Sequence, residues 1–440
     1  MDGVEYDYVG ETPYSNNETS WSTKTKVCFF VLIICILLLA AMSVFFFIKI
    51  NNSKDKGKNN TNNNSKDKED IIEKKIYLDS YGIKLVNISY SIDGIIPNSF
   101  KKTGENYKEE LGNINEGKDY QKREYNYYNL YIPFSDEKRK KEYNQIFLFI
   151  HGGAWSYGKK ERMDFLCKTY SDLGYITATL GYTLLNSTDN STNVFRMIDE
   201  ISSAIKNIKE RLKNEGFNED KLELAIGGES AGAHLSLIYA YSIKSPAIPI
   251  KFVINISGPT SLEPKHLIKL KEEESLDSIE PFYINEAKQQ NKTESLGLQI
   301  ELYFVSLINL LLGNKYSEEQ LKQIFNNGYL DEENEIYKKM IALINYTFPI
   351  NYVDKNTIPT LCIYGGNDTV VGIEQYALLK EKFDSIKNEK ISIIYSRNWG
   401  HSIRGILEQY EGISETREIH YQILNYSRSY YTSNPNIIFI

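Results

Sequence analysis

A serine flanked by small residues is the first candidate for chemistry in this chain. Ser230 lies in the pentapeptide Gly-Glu-Ser-Ala-Gly of residues 228–232, after the apolar run 222–227 and before a helical pattern that starts at Ala231. In a sharp strand-to-helix turn such a hydroxyl projects away from the sheet. Small neighbouring residues allow the backbone of the turn to approach adjacent segments closely. A serine is inert near neutral pH until a histidine removes its proton. The pentapeptide alone is a weak signal, so its meaning depends on suitable partners elsewhere.

Two downstream segments supply those partners. Asp368 ends the stretch Tyr-Gly-Gly-Asn-Asp, which follows the predicted strand 360–364, and His401 follows Trp-Gly just beyond the predicted strand 391–396. A carboxylate fixes the tautomer of the histidine and stabilises the imidazolium that forms when the serine is deprotonated. The chain order of serine, acid and histidine is the order expected when each residue follows its own parallel strand. We therefore predict a triad with Ser230 as nucleophile, His401 as base and Asp368 as the orienting acid.

A glycine pair upstream predicts a site for a developing oxyanion. The sequence His-Gly-Gly-Ala-Trp at 151–155 follows the short apolar strand 145–150. The N–H groups of Gly152 and Gly153, together with that of Ala231, are predicted to form an oxyanion hole, in which each donor contributes about 3 kcal/mol to transition-state stabilisation. Taken alone, the glycines would indicate a plain turn. Their position two strands before the serine favours the oxyanion hole.

The elements that must position these groups alternate between strand and helix. Apolar residues repeat at intervals of three and four from Val194 to Leu212, which predicts an amphipathic helix. The other predicted elements are strands at 83–91, 125–132, 145–150, 175–180, 222–227, 252–257, 360–364 and 391–396, and helices at 162–173, 231–241, 372–383 and 402–426. Alternation of this kind predicts an α/β fold with a mostly parallel sheet covered by helices on both faces.

Regularity lapses between residues 259 and 348, and we predict a helical cap insertion there. The apolar segment 296–312 contains several polar side chains, which favours a cap or core helix over a second membrane span. Ser317 with Gln320 predicts a capped helix start.

The first 75 residues predict a membrane anchor with flanking polar segments. Residues 1–26 are predicted to be a disordered acidic tail, 27–48 a transmembrane helix, 49–75 a flexible Asn- and Lys-rich linker, and 76–430 the folded domain. Residues 27–48 contain 22 residues without a charge, enough to span a bilayer. A cleaved signal peptide and a buried helix are less consistent with the length and with the lack of amphipathic character. Flanking lysines are more numerous after the span, which favours a cytoplasmic folded domain.

Charge and cysteine usage exclude other classes of protein. A net charge of -7 gives no reason to expect a nucleic-acid partner. The chain has 4 cysteines, and their positions do not suggest a disulfide framework; Cys167 and Cys362 are predicted to be buried free thiols. No Cys/His spacing indicates a metal site, and no cofactor is predicted. The oligomeric state stays open.

These motifs together resemble those of a known family. Residues from about 125 to 405 look like the α/β-hydrolase family of carboxylesterases that contains hormone-sensitive-lipase-like and feruloyl-esterase-like members. The matching stretches are His-Gly-Gly-Ala-Trp at 151–155, Gly-Glu-Ser-Ala-Gly-Ala-His-Leu at 228–235, Pro-Ile-Asn-Tyr-Val at 349–353, and the segments of Asp368 and His401. The resemblance implies ester hydrolysis through an acyl-enzyme on Ser230. The membrane anchor, the long N-terminal preamble and the enlarged insertion depart from the family pattern and leave the substrate open.

Several substrate and function classes stay open at this point. The ester could carry a short acyl chain, be a lipid or be a prenylcysteine methyl ester, and an N-aryl formamide is the substrate of a further relative. A non-catalytic adhesion or scaffold protein with a hydrolase fold is the alternative outside enzymes. Two nearby histidines are predicted to be structural: His151 braces its loop and His234 packs beneath the serine turn. For Glu229, beside the nucleophile, tuning of the site and a scaffold role both stay open.

Overall fold

A mixed nine-stranded sheet is the framework of the part of the chain that the structure describes. The structure is a computed structural model, and it describes residues 73–78, 82–90, 125–133, 140, 142, 144–185, 192–262, 305–326, 329–368, 370–401 and 414–432. The strands are β1 Lys74–Leu78, β2 Gly82–Ser89, β3 Tyr127–Pro133, β4 Asn144–Ile150, β5 Ile176–Leu180, β6 Leu222–Glu229, β7 Ile250–Ile256, β8 Phe325–Asn326, β9 Tyr329–Leu330, β10 Thr360–Gly365 and β11 Ile391–Ser396.

The sheet is parallel where the candidate residues lie. Its strand order is β1-β2-β3-β5-β4-β6-β7-β10-β11, and the six strands from β5 to β11 in that order are parallel, whereas β1, β2, β3 and β5 pair antiparallel. Strand β6 lies between β4 and β7, with Ile150 opposite Gly228 and Glu229 opposite Ile256. The carboxyl ends of these strands therefore meet at one edge of the sheet, as predicted for a mostly parallel α/β fold.

Helices cover both faces of the sheet. They are α1 Asp164–Asp172, α2 Val194–Asn214, α3 Ala231–Ser242, α4 Glu318–Lys322, α5 Glu335–Ile344, α6 Glu374–Ser385 and α7 Ser414–Tyr430, with 3₁₀ turns at Lys160–Met163, Glu219–Lys221, Asn345–Thr347 and Pro349–Tyr352. Alternate side chains of β4 enter separate cores. Ile146, Leu148 and Ile150 pack with apolar residues of α2 and α3. Phe147 and Phe149 pack with residues of α1 and α7 on the other face.

Most predicted elements are present, with shifts at their ends. Strand β1 begins at Lys74, inside the segment predicted to be linker, because its pairing with β2 orders a sequence too polar to be recognised as a strand. The last helix is described over Ser414–Tyr430 and ends four residues beyond its predicted end; residues 402–413 lie outside the described part of the chain. Ser317 and Gln320 form the predicted capping box.

The described part of the insertion is helical and contributes to a core. Residues 305–311 are helical, and Val305, Ile308, Leu311 and Leu312 are buried. They belong to the same apolar cluster as residues of α2 and α3, as a core helix would.

The predicted tail and transmembrane helix, and the linker up to residue 72, lie outside the described residues. Among the residues that are described, no helix is long and apolar enough to cross a membrane.

Candidate active site

Ser230 occupies a sharp turn between β6 and α3. Its backbone has φ 54° and ψ -119°, a conformation that an L-residue adopts only when its surroundings enforce it. The Ser230 N–H donates a 2.8 Å hydrogen bond to the carbonyl of Ile256 on the neighbouring strand. A Cβ on either Gly228 or Gly232 would lie closer than 3.0 Å to the carbonyl oxygen of Ile150. The glycines of the pentapeptide are therefore required by the contact between this turn and β4.

Three predicted residues are brought into one hydrogen-bonded row. His401 Nε2 lies 3.0 Å from Ser230 Oγ. His401 Nδ1 lies 2.9 Å from Asp368 Oδ2 and 3.1 Å from Oδ1. With Nδ1 protonated and bonded to the carboxylate, Nε2 carries the lone pair that faces the serine hydroxyl.

The loop after β10 holds the carboxylate of Asp368 in place. Asp368 Oδ1 accepts hydrogen bonds from the backbone N–H groups of Val370, at 2.9 Å, and Val371, at 2.8 Å. Its side chain is fully buried, whereas the side chain of His401 is 25% exposed. The acid is thus fixed and shielded, and the imidazole is open on one side to a reactant.

The loop after β4 approaches the serine through its glycines. A Cβ on Gly152 would lie 3.1 Å from the Ser230 Cβ, so the backbone of this residue lies directly beside the nucleophile. Three consecutive residues then adopt positive φ: Gly153 at 122°, Ala154 at 44° and Trp155 at 58°. The carbonyl of Gly153 accepts from the N–H groups of Ser156 and Tyr157, both at 3.0 Å. These bonds close a tight turn at the edge of the sheet.

His151 braces this loop. Its Nδ1 lies 2.8 Å from the carbonyl oxygen of Gly152, so Nδ1 carries the proton in this bond. Because C=O and N–H point in opposite directions in a trans peptide, the bond also sets the direction of the Gly153 N–H. The ring stacks on Tyr182 at a centroid distance of 4.4 Å. Burial lowers the pKa of His151 to about 4, so it stays neutral in the physiological range.

Ala231 begins α3 directly after Ser230, so its N–H belongs to the first turn of that helix. The first N–H groups of a helix have no acceptor within it and point outward. Of the predicted donors, Gly152 and Ala231 thus lie beside Ser230 on two backbone segments, the loop after β4 and the start of α3, and Gly153 follows Gly152 in that loop.

Glu229, beside the nucleophile, is a buried carboxylate. Its Oε2 accepts a 3.2 Å hydrogen bond from Arg162 Nε in the 3₁₀ turn before α1, while no described group lies within hydrogen-bond distance of Oε1. This ion pair joins the segment after the glycine loop to the residue before Ser230.

The two described thiols lie in α1 and in β10. Cys167 and Cys362 are free and buried, as predicted. Burial raises the pKa of the Cys362 thiol to about 12, which disfavours the reactive thiolate.

Two long-range contacts between elements have no signal in the sequence. Trp155 Nε1 donates a 3.2 Å hydrogen bond to His234 Nδ1, which links the glycine loop to α3. Gln375 Oε1 accepts from the N–H groups of Thr260 and Ser261, which joins α6 to the segment after β7. Trp155 and His234 lie in recognised motifs, but their pairing depends on three-dimensional packing.

Comparison with known proteins gives a family for this fold and site. The sequence profile of the BD-FAE family matches residues 129–383, more than half of the chain. Esterase LipC of Mycobacterium tuberculosis is 18% identical over 259 residues, which cover 58% of this chain and 52% of that protein. The matched region thus spans about half the length of this relative.

Two solved structures of esterases are similar to this chain at low sequence identity. A truncated carbohydrate esterase from gut microbiota has a TM-score of 0.48 at 16% identity, covering 80% of this chain and 99% of that one. Esterase B from Lactobacillus rhamnosis has a TM-score of 0.46 at 17% identity, covering 69% of this chain and 81% of that one.

The family match extends from β3 to α6 and includes the glycine loop, the serine turn and the loop of Asp368. It agrees with the resemblance in the sequence motifs and with a mostly parallel sheet whose candidate residues follow its strands. The chain belongs to the BD-FAE family, in agreement with its resemblance to the α/β-hydrolase carboxylesterases.

Proposed function

We propose that this protein is a membrane-anchored serine esterase that cleaves carboxylic esters through an acyl-enzyme on Ser230. The observation that carries the proposal is the row of hydrogen bonds from Ser230 Oγ through His401 to the buried Asp368 carboxylate, at 3.0 and 2.9 Å. A serine with this arrangement needs no further group to become a nucleophile, because His401 Nε2 accepts its proton as it attacks.

The proposed reaction has two halves. Ser230 Oγ attacks the ester carbonyl, its proton moves to His401 Nε2, and the resulting oxyanion accepts hydrogen bonds from the N–H groups of Gly152, Gly153 and Ala231. The tetrahedral intermediate expels the alcohol, which takes the proton from His401, and an acyl ester on Ser230 remains. Water then attacks this ester, with His401 as base, and releases the acid and the free serine.

Replacement of the nucleophile tests this mechanism. We expect Ser230→Ala to abolish hydrolysis of p-nitrophenyl acetate and labelling by a fluorophosphonate probe. The matched control is Ser385→Ala, at the exposed end of α6, which we expect to leave both signals at the wild-type level. Unchanged hydrolysis in the Ser230→Ala protein would show that the mechanism is wrong. Loss of the probe signal with Ser230 also separates an enzyme from a non-catalytic adhesion or scaffold protein.

The proposed substrate is an ester of short to medium acyl chain, since no sequence feature demands a large lipid groove. A panel of p-nitrophenyl esters from acetyl to palmitoyl, with a prenylcysteine methyl ester beside it, tests this choice. Highest kcat/KM on the palmitoyl ester would favour a lipase, and selective cleavage of the methyl ester would favour a prenylcysteine methylesterase.

A further inference from the structure

We infer that His234 is a positioning residue, which holds the oxyanion loop at its working distance from the nucleophile through its hydrogen bond to Trp155. This inference rests on the proposed function, because His234 acts only through the oxyanion loop of the proposed mechanism. His234 touches neither the substrate nor the side chain of Ser230. It concerns a group whose type was apparent in the sequence but whose partner was not.

The loop that carries Gly152 and Gly153 is not a conformation that its own residues favour. Ala154 and Trp155 both have positive φ, at 44° and 58°, although each carries a Cβ. Such conformations are unfavourable for residues that carry a Cβ, and they persist when surrounding contacts enforce them. The strain predicts that an anchor lies close to these two residues.

Trp155 is that anchor. Its side chain is buried although Ala154 and Ser156 on either side are exposed. Its carbonyl accepts a 2.9 Å hydrogen bond from the Leu185 N–H, and its indole N–H donates to His234 Nδ1 at 3.2 Å. The two rings meet edge to face, with centroids 5.2 Å apart. The side chain therefore fixes the loop from within the protein.

His234 stands on the same helix as the third predicted oxyanion donor. It lies one turn beyond Ser230, and its backbone N–H donates a 3.0 Å hydrogen bond to the carbonyl of that serine. Ala231 begins this helix. One indole–imidazole bond thus connects the segment of Gly152 and Gly153 to the segment of Ser230 and Ala231, whose separation sets the size of the oxyanion hole.

His234 Nδ1 can accept the hydrogen bond from the Trp155 indole throughout the pH range of an esterase assay. An indole N–H is a donor only, so Nδ1 must hold a lone pair and the proton of the neutral ring lies on Nε2. Burial lowers the pKa of His234 to about 3, so protonation does not break the bond at the pH of an esterase assay. A role as proton carrier is disfavoured for the same reason.

Two substitutions of nearly equal size separate positioning from packing. In His234→Asn the amide oxygen stands close to the former Nδ1 and accepts from the indole, whereas in His234→Leu no acceptor remains. Leucine has the higher helix propensity and is the more favourable residue to bury. A residue that merely fills space would therefore be replaced better by leucine than by asparagine.

We expect the asparagine variant to be the more active of the two, although leucine is the better replacement for a residue that only fills space. His234→Leu should lower kcat about 10-fold or more with KM changed less than about 2-fold, because displacement of oxyanion donors weakens transition-state binding. His234→Asn should stay within about 3-fold of the wild-type kcat and keep the acid limb of the pH profile. In a Trp155→Phe background the asparagine and leucine variants should become equal, as a double-mutant cycle requires when the bond is shared.

A second measurement reports on the bond without catalysis. The full-length chain has 3 tryptophans, so the indole N–H resonance of Trp155 in a ¹⁵N spectrum is assigned by its loss in Trp155→Phe. It should be slow to exchange in the wild-type and His234→Asn proteins and shifted and fast in His234→Leu. Equal kcat in the two His234 variants, or an indole resonance unchanged in His234→Leu, overturns the inference. Hydrolysis that survives Ser230→Ala overturns instead the proposed mechanism, and the indole resonance still decides whether the bond exists.

Discussion

At the scale of single residues, the site depends on groups that are fixed before a substrate arrives. Two backbone N–H groups hold the Asp368 carboxylate, that carboxylate holds His401 Nδ1, and His401 Nε2 faces Ser230 Oγ. Each contact determines the direction of the next one. Preorganised groups of this kind need little rearrangement as charge develops in a transition state.

Asp368→Asn tests whether the carboxylate fixes the tautomer of the His401 imidazole. An amide in place of the carboxylate can present its NH₂ group to Nδ1, which would leave the proton on Nε2 and remove the base from Ser230. We expect kcat for p-nitrophenyl acetate to fall by roughly 10⁴-fold with little loss of stability. Asp384→Asn, at an exposed ion pair with Lys380 on α6, is the matched control and should retain wild-type kcat. A loss below about 10-fold in Asp368→Asn would contradict the assigned role.

The residue types of this site could be predicted from sequence, whereas several of their partners could not. Ser230, Asp368 and His401 each follow a strand and a turn, and this local pattern is legible without coordinates. The bonds from Trp155 to His234 and from Arg162 to Glu229 join residues 79 and 67 positions apart. No local periodicity encodes contacts of that range, since they arise when helices pack on the sheet. The role of the site in catalysis stays a prediction until the variants are measured.

At the scale of elements, the close approach of α3 to β4 controls where the nucleophile lies. All 12 residues of α3 are buried, so its position is set by packing along its whole length. Its first turn lies against the end of β4, where Gly232 leaves no room for a Cβ beside the Ile150 carbonyl. The shape of the turn at Ser230 is therefore a property of two elements together.

Gly232→Ala should push the start of α3 away from the end of β4. The added methyl group must displace backbone of β4 or α3, and overpacking of this kind typically costs about 1–3 kcal/mol or more. We expect a lower urea midpoint of unfolding and at least a 10-fold loss of kcat in the protein that still folds. The same substitution at Gly400 meets its nearest described neighbour at 3.8 Å, an ordinary contact, and should be tolerated. Equal behaviour of the two variants would refute the steric argument.

Element types were predicted more accurately than element ends. Buried strands such as β4, β6 and β10 are short apolar runs bounded by glycine or polar residues, and they lie within one or two residues of their predicted bounds. Strand β1 is mostly exposed and begins with two lysines, so the composition at its start resembles that of the preceding linker. An edge strand is defined by its pairing with a neighbour, and pairing is not visible in a short polar sequence.

At the scale of the whole molecule, we expect the chain to be held at a membrane by residues 27–48. Twenty-two residues without a charge give a helix of about 33 Å, which matches the hydrocarbon core of a bilayer. The full-length protein should sediment with membranes, resist carbonate extraction and dissolve in neutral detergent. A chain with 27–48 deleted should appear in the soluble fraction with its hydrolytic activity retained. Release of the full-length protein by carbonate would contradict a spanning anchor.

The stability of the whole fold should depend on pH through two of its buried histidines, His151 and His234. Burial lowers the pKa of His151 to about 4 and that of His234 to about 3, against an ordinary value of 6.5. Between these values the unfolded chain binds protons that the folded chain excludes, so the free energy of unfolding falls as the pH falls. The loss begins near pH 6.5 and ends, for each histidine, once the pH is below its folded pKa.

His234→Asn isolates one of these two contributions. Between pH 7 and pH 5 the free energy of unfolding of the wild-type protein should fall by about 2 kcal/mol more than that of the variant, because the variant lacks the buried base His234. Urea unfolding of the full-length proteins in neutral detergent at pH 8, 7, 6 and 5 measures this difference. The two curves should run nearly parallel between pH 8 and 7, where His234 is mostly neutral in both the folded and the unfolded chain, and diverge increasingly below pH 7. Parallel curves down to pH 5 would mean that His234 titrates equally in the folded and unfolded chains, and hence that it is not sealed within the protein beside Trp155.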